Sequence, residues 1–307
     1  MRCLIIHNLA SGPRSDEVFA FAHALSATGD EVVMRFLGDS MEASDATADA
    51  AAFDRVVVSG GDGSVSNLLN CLAGSGVPVL VFPSGTANLF FNNIGNAPEA
   101  AALAAACRAG RTAKVDMGEI SWTDADGSEH SHGFIIIAGT GFDATIMEKA
   151  EATKGEMGEV AYMLAGLATP FPQVAHFTIE CDGEVHELDG IGCMVGNTSI
   201  IQNEINLFPD CRMDDGKIDI AVIEPARTVE LLPTLLAGVL DKAGKGLGRP
   251  QFTMFQASEA RVTCTPSLAM QFDGEPIPGG TGSFSARVLP AALDIIIDDF
   301  SPLGSAR

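Results

Sequence analysis

The stretch from Arg55 to Asn70, RVVVSGGDGSVSNLLN, restricts the fold of this chain more than any other. A β-branched run ends at Ser59, turns through Gly60, Gly61, Asp62 and Gly63, and enters a helix beginning near Ser64. The apolar positions of that helix, Val65, Leu68, Leu69 and Leu72, recur at i, i+3, i+4 and i+7. Such a turn leaves backbone N–H groups at a helix amino terminus, where the dipole and the unpaired donors favour a phosphate. Glycine is needed because a Cβ would block the approach of phosphate oxygens. The run VPVLVFPSGTAN, ending at Asn88, repeats the design: Pro83, Ser84, Gly85 and Thr86 form a turn with two hydroxyls, and Asn88 can cap the next helix. Turns on neighbouring strand ends converge on one crevice, where open α/β sheets bind ligands. Neither turn is a Walker loop or a dinucleotide fingerprint.

Around these turns, short β runs alternate with helices. Strands are predicted at Cys3–Ile6, Glu31–Phe36, Arg55–Val58 and Pro78–Phe82, and helices at Asp16–Ala27, Ser44–Phe53 and Pro98–Ala109. After Asp116 the pattern becomes β runs punctuated by turns: Ile120–Trp122, Gly133–Ala138, Val174–Cys181, Glu184–Leu188, Gly192–Gly196, Lys217–Ile223, Thr253–Ala257, Ala260–Cys264, Ala269–Phe272 and Phe284–Leu289. Asp182-Gly183 is a two-residue hairpin signal. Helices are expected near Asp143–Ala152, Glu159–Ala168 and Val229–Lys242. The fold class is therefore α/β plus β: an N-terminal doubly wound α/β nucleotide-binding domain over 1–118 and a C-terminal antiparallel β domain over 119–307, whose last strand is able to return to the first domain.

The composition excludes several functions. Forty acidic against 18 basic side chains give a net charge of −22, the opposite of what a nucleic-acid binder or a polybasic membrane anchor needs. Seven scattered cysteines without a C-x-x-C pair read as buried, reduced thiols and place the chain in the cytoplasm. The first residues lack the apolar stretch of a signal peptide, and no run approaches the roughly 18 apolar residues of a membrane span.

A third segment, Met270 to Pro276 (MQFDGEP), sets Asp273 and Glu275 two positions apart after an apolar strand. A carboxylate in a partly dry cleft suits a base that accepts the proton of an acceptor hydroxyl, although D-G-E by itself is also a hairpin turn. The combination is more specific than any one part. GGDGS at 60–64, PSGTAN at 83–88, KVDMG at 114–118, GTGFDA at 139–144, FPDCRMDDGKID at 208–219 and FDGEP at 272–276 occur in the order of the diacylglycerol kinase-type lipid kinases. The chain resembles the bacterial members of that family, the soluble diacylglycerol kinases and the YegS-like lipid kinases.

The resemblance implies a β-sandwich for the second domain, with ATP and a hydroxylated lipid meeting in the cleft between domains. It implies ATP contacts at Gly60, Gly61, Asp62, Gly63, Ser64, Val65 and Ser66, and at Ser84, Gly85 and Thr86, with Asn8 and Ser11 forming a first nucleotide turn. Asp273 and Glu275 supply the catalytic base, Glu275 the favoured one. A structural Mg²⁺ takes Asp215 with the carbonyls of Arg212 and Lys217, and Asp62 is the carboxylate near a second ion carried by ATP. The implied enzyme is cytoplasmic and peripheral to the inner face of the membrane, with a homodimer left open. The rival readings are a kinase of a soluble substrate, like NAD kinase or phosphofructokinase, and a non-catalytic nucleotide- or lipid-binding protein on the same fold.

Departures from the pattern are Leu9 where the first turn has proline, Ser64 for threonine, Asn67 for glutamate, Leu89 for aspartate, and Met34 for a threonine at the end of the second strand. His130 and His132 read as an exposed pair, Asp124-x-Asp126-Gly127 as a hairpin turn, Gln202-Asn-Glu204 as a loop and Asn197-Thr-Ser199 as an unused sequon. An acidic protein must meet lipid through a local apolar or basic rim, of which Leu235–Arg249, with Lys242, Lys245 and Arg249, is one candidate.

Overall fold

A computed structural model describes residues 1–12, 16–38, 41–124, 126–141, 144, 171–202, 205–224, 227–279 and 281–304. The helices expected over 143–152 and 159–168 lie, Ala144 apart, outside the described residues, as do Asn203 and Glu204. The chain forms two compact units, Met1–Met117 with Pro290–Arg307, and Gly118–Leu289.

In the first unit, β1 (Arg2–Asn8), α1 (Glu17–Ser26), β2 (Glu31–Leu37), α2 (Ala43–Thr47), β3 (Arg55–Gly60), α3 (Asp62–Leu72), β4 (Pro78–Pro83), α4 (Leu89–Ile94) and α5 (Ala100–Ala109) alternate as the periodicity requires. The strands lie parallel in the order β2-β1-β3-β4. The inner strands are continuous apolar runs because helices cover both faces; α1 packs on α5 and α2 on α3. The helix expected over 44–53 is broken: α2 stops at Thr47 and a 3₁₀ turn follows at Ala50–Ala52. The Thr47 hydroxyl bonds back to Ala43 O at 2.8 Å, a bond that competes with regular helix.

The chain leaves this unit within β5 (Thr112–Thr123) and re-enters it within the last strand, β18 (Phe284–Ile296), whose Asp294 and Ile295 pair parallel with β4. Strand β18 runs past Leu289 because a kink at Pro290-Ala291 lets it continue. Ala291 has φ +51°, and its N–H donates to the buried Asp116 carboxylate at 2.7 Å. Asp116 of the KVDMG motif thus holds the returning strand.

The second unit is a sandwich. Its strands are β6 (Glu129–Phe134), β7 (Ile137–Gly141), β8 (Ala175–Cys181), β9 (Glu184–Gly190), β10 (Gly192–Gly196), β11 (Ile200–Gln202), β12 (Ile205–Asn206), β13 (Ile218–Ile223), β14 (Phe252–Ala257), β15 (Glu259–Thr265), β16 (Met270–Phe272) and β17 (Glu275–Ile277). Among the described residues of this unit, an α-helix, α6 (Leu232–Leu240), follows β13. One sheet runs β14-β13-β10-β7-β16-β17, all antiparallel. A second ladder joins the first half of β18 to β15, β8 and β9, and β5 pairs with β6. The two layers bury Phe177, Ile179, Val262 and Phe284 against Val195, Ile220, Val222 and Met270. Strands β8 and β15 alternate buried and exposed, as sandwich strands must. Asp182 and Gly183 both have positive φ, so the β8–β9 turn is of the primed type the dipeptide favours.

The run expected at Gly133–Ala138 is two strands, β6 and β7, in different ladders. The chain changes sheet at Ile135-Ile136, which apolarity alone could not reveal. Five cysteines are buried and free as expected, whereas Cys211 is half-buried and Cys71 exposed.

Gly118 sits opposite Phe134 in the β5–β6 ladder, and a Cβ there would fall 2.0 Å from the ring. Gly118→Ala should lower stability by about 1–3 kcal/mol, read as a lower urea midpoint. A Phe134→Leu background should recover part of that loss. An unchanged midpoint in Gly118→Ala would show that the ring does not depend on the glycine.

Candidate active site

The phosphate-binding candidates cluster at the carboxyl ends of β1, β3 and β4, which register pairs bring level: His7 opposite Ser59, Ser59 opposite Phe82, Gly60 opposite Pro83. Beneath the turns runs a fully buried polar chain. His7 Nδ1 lies 2.9 Å from Ser59 Oγ, and Ser59 Oγ lies 2.7 Å from Ser84 Oγ. Above it, Asn8 Nδ2 donates to Ser64 Oγ at 2.7 Å, Asn8 Oδ1 accepts Ala10 N–H, and Ser11 Oγ donates to Asn8 O at 2.6 Å.

Glycine is obligatory at two of these contacts. A Cβ on Gly60 would lie 2.6 Å from Ser64 Cβ, and one on Gly85 would lie 2.5 Å from Gly61 Cα. The GGDGS and PSGT turns therefore touch backbone to backbone. Asn88, at φ +49°, closes the second turn: its Oδ1 accepts Gly85 N–H at 2.8 Å and its Nδ2 donates to Gly85 O at 2.9 Å.

Helix α3 is capped by the extended Gly61, with no side-chain cap bond, and its first internal bond runs from Val65 N–H to Gly61 O. The N–H groups of Gly63 and Ser64 precede that bond and have no helical acceptor, which makes them the donors available to an anion. The residues present fit a phosphate in size, polarity and backbone approach.

Nine expected contacts, Asn8, Ser11, Gly60, Gly61, Asp62, Gly63, Ser64, Gly85 and Thr86, gather at these turns. Three side chains do not present themselves there. Val65 and Ser66 are buried along α3, and Ser84 is buried in the chain with Ser59 and His7. Asp62 has a different occupation from the one expected: its Oδ1 accepts Phe90 N–H at 3.1 Å, tying α3 to the start of α4. Burial pushes its pKa up, and the backbone N–H groups around residues 88–90 oppose that rise. Met34 lies mid-strand opposite Ile5, and the true end of β2 is Phe36-Leu37 beside His7 and Asn8.

The expected catalytic acids lie in the second unit on the β16–β17 hairpin. Asp273 and Gly274 have φ of +44° and +84°, so D-G-E is a tight primed turn as well as a pair of carboxylates. The two acids differ completely. Asp273 Oδ2 accepts Ile135 N–H at 2.8 Å, and its Oδ1 accepts Ile136 and Ile137 N–H at 2.8 and 3.0 Å. Glu275 is exposed, and its carboxylate makes no hydrogen bond or ion pair among the described residues. Asp273 is committed to backbone N–H groups, whereas the Glu275 side chain is exposed.

His130 and His132 are absorbed into an aromatic ladder on the same unit. His132 stacks on Phe272 with centroids 4.3 Å apart, and His130 stacks on Trp122 while its Nε2 meets Asp124 Oδ2 at 2.9 Å. Asn197, formally a sequon, is fully buried and donates to Ile135 O at 3.1 Å.

In the loop expected to hold Mg²⁺, Arg212 bonds Asp214, while Asp215 is exposed and its Oδ1 accepts Lys217 N–H at 3.1 Å. Nearby Asp219 is buried beside the Cys211 thiol, and Gln256 donates to its Oδ1 at 3.0 Å. Burial raises the pKa of Asp219 and, with that carboxylate beside it, of the Cys211 thiol. The exposed Asp215 carboxylate and the loop carbonyls are oxygen donors of the kind a hard cation takes. No cluster of three His, Cys, Asp or Glu side chains poised for a metal occurs among the described residues.

Two family models match the chain. Residues 2–120 match the diacylglycerol kinase catalytic domain, and residues 136–297 match the YegS C-terminal NAD kinase beta sandwich-like domain. A protein of Pseudomonas aeruginosa named "Probable lipid kinase YegS-like" is 30% identical over 309 residues, covering 98% of this chain and 95% of its own. A diacylglycerol kinase of Mycobacterium tuberculosis is 29% identical over 290 residues, covering 89% and 86%. The crystal structure of a diacylglycerol kinase from Bacillus anthracis shares the fold with a TM-score of 0.71, 19% identity and 97% coverage of both chains. Yeast NADH kinase in complex with NADH shares it more distantly, with a TM-score of 0.55, 12% identity, and coverage of 98% and 81%.

The chain beneath the turns has a pH signature. Burial holds the His7 pKa below its ordinary 6.5. The unfolded chain therefore takes a proton near pH 6.5 that the folded chain resists, and the stability present above that pH is lost as pH falls toward the folded value. Urea unfolding at about pH 8 and about pH 5 should show this loss in the wild type and a shallower slope in His7→Gln. Equal slopes would mean that His7 is not the group responsible.

Proposed function

Because this chain belongs to the family of diacylglycerol kinases and YegS-like lipid kinases, we propose that it transfers the γ-phosphoryl group of ATP to the hydroxyl of diacylglycerol or a related lipid. The observation that carries this reading is the contrast within the DGE hairpin: Asp273 accepts three backbone N–H groups, and Glu275 is left exposed, with no hydrogen bond or ion pair from its carboxylate among the described residues. Such a carboxylate is suited to accept a proton, and the glycine-locked turns of the first unit are suited to hold phosphates.

In this reading, the N–H groups of Gly63 and Ser64 and the Thr86 hydroxyl bind the nucleotide phosphates. Asn8, through its bond to Ser64 Oγ, fixes the serine. The acceptor oxygen forms a bond to the γ-phosphorus as the bond to the bridging oxygen breaks. Its proton goes to the Glu275 carboxylate, and ADP leaves. Mg²⁺ bound with ATP supplies neutralisation of the phosphate charge. A second Mg²⁺ is assigned to Asp215 with the Arg212 and Lys217 carbonyls, where it would fix the loop leading into β13. Asp62, with an oxygen committed to α4, acts as a positioning residue.

No described helix is long and apolar enough to cross a membrane. Our reading has the enzyme act on lipid from the cytoplasmic face as a peripheral visitor.

Transfer of labelled phosphate from ATP to a panel of hydroxyl lipids in mixed micelles, with NAD and a sugar phosphate as soluble controls, tests the reading. Transfer to a lipid supports it; transfer to NAD or the sugar alone sinks it. Given an active lipid, Glu275→Gln should lower kcat by about 10²- to 10⁴-fold with nucleotide binding retained. Full activity in that variant would remove Glu275 as the base. Asp273→Asn should act differently, costing on the order of 1–3 kcal/mol of stability because backbone donors lose an acceptor.

A further inference from the structure

The arrangement of α6 is inverted relative to an ordinary surface helix. Leu232, Leu235, Leu236, Val239 and Leu240 recur at i, i+3, i+4, i+7 and i+8, the stripe that normally faces a core. Here that stripe faces solvent: Leu236 is 59% and Leu240 75% exposed. The helix packs instead through its small residues Thr234, Ala237 and Gly238. A Cβ on Gly238 would lie 2.8 Å from Ile205 and 2.9 Å from Asn206 O, so the close seat on β12 requires the glycine. Thr234 Oγ1 donates to Pro250 O, which fixes the rotation of the helix.

The loop after α6 is equally built. The Asp241 carboxylate accepts the N–H groups of Lys245, Gly246 and Leu247, at 3.2, 2.7 and 2.7 Å. Its charge is spent on the backbone, and Leu247 is held 56% exposed beside the exposed Lys242 and Lys245. Arg249, expected in the sequence as part of a basic rim, is buried and donates to Asn206 O and Asp241 O. It is the brace of the loop rather than a surface charge.

The geometry points to α6 and the loop through Leu247 as the surface by which this chain docks on a lipid bilayer. The inference rests on the lipid-kinase reading and adds to it the element that reaches the substrate. The occupant follows from charge and shape. From Leu232 to Arg249 the exposed charges are the cations Lys242 and Lys245, while the one acid, Asp241, is committed to backbone N–H groups, in a chain of net charge −22. A protein partner that merely covered leucines would not need this local reversal of sign, whereas an interfacial helix combines apolar side chains below with cations at headgroup level. The long-range repulsion of the acidic body by anionic lipid is screened beyond roughly 8 Å at physiological salt, so a local apolar contact decides binding.

The test uses the full chain and vesicles of phosphatidylcholine, alone or mixed with phosphatidylglycerol. The double variant Leu236→Glu with Leu240→Glu should weaken vesicle cosedimentation by roughly tenfold or more. Lys245→Glu should weaken binding to the mixed vesicles and leave binding to phosphatidylcholine alone unchanged. Val185→Glu, at another exposed apolar position, should bind as the wild type does. Unchanged circular dichroism and undiminished transfer to a short-chain diacylglycerol in solution would show that the double variant is folded and competent. Wild-type vesicle binding by the double variant overturns the proposal, whatever the lipid assay gives. So does a wild-type dimer that the double variant splits while vesicle binding stays the same, which would make the face a contact between copies. If no lipid is phosphorylated but vesicle binding depends on Leu236 and Leu240, the docking surface stands and the catalytic reading falls.

Discussion

The geometry of the second unit depends on one carboxylate. Asp273 receives the N–H groups of Ile135, Ile136 and Ile137, where the chain leaves one ladder at β6 and joins another at β7. A chain changing sheets breaks its backbone pairing, and consecutive N–H groups at a buried corner would be costly to leave unmade. Asn197 takes the complementary carbonyls, donating from its side chain to Ile135 O and from its backbone to Ile136 O. The turn that delivers Asp273 to the corner also carries Glu275 two residues later, on the opposite strand of the hairpin. The D-G-E spacing thus joins a fixed anchor to an exposed acid, and the position of Glu275 is inherited from the corner.

The first unit solves its problem with missing atoms instead of added charge. Gly60 against Ser64 and Gly85 against Gly61 permit three turns to share a space too small for a Cβ, and Asn8 and Asn88 lock them with hydrogen bonds. The buried His7–Ser59–Ser84 chain below gives neighbouring strand ends a common polar floor. Turns locked this way hold their backbone donors at fixed positions, an arrangement that would leave little ordering to be done on binding an anion.

Much of this was legible in the sequence because it rests on local signals. Gly60 to Gly63 announce a strand-to-helix turn, Asp182-Gly183 announces a hairpin, and apolar runs locate most strands to within a residue or two. What escaped was set by partners distant in sequence. Nothing local shows that Val65, Ser66 and Ser84 point away from the turn surface, that His132 stacks on Phe272, or that Asp62 serves Phe90. The sheet change at Ile135 was invisible because apolar residues continue through it. The leucines of α6 have the same period whether they face a core or solvent; only the packing of Thr234, Ala237 and Gly238 decides between the two. Arg249 misled for a related reason, since an arginine in a glycine-rich loop reads as exposed until its carbonyl partners are known.

The acidity of the chain also acquires a structural meaning. Several aspartates hold backbone together as well as adding surface charge: Asp116 holds the kink at Ala291, Asp182 the start of β15 through Ser258 N–H, Asp241 the loop through Leu247, and Asp298 the segment at Ala97. For Asp182 and Asp241, hydrogen bonds to the charged form depress the pKa below 3.8. Their contribution is therefore present above that value and is lost as pH falls through the lower folded-state value. Asp62 and Asp219 run the other way, since burial raises their pKa and makes the charged form a cost at neutral pH. The net charge of −22 is thus a sum over unlike groups. It counts aspartates that brace turns together with exposed acids such as Glu275. The acidity is uneven along the surface: around α6 the exposed charges are Lys242 and Lys245, and the one carboxylate there, Asp241, is turned onto backbone N–H groups.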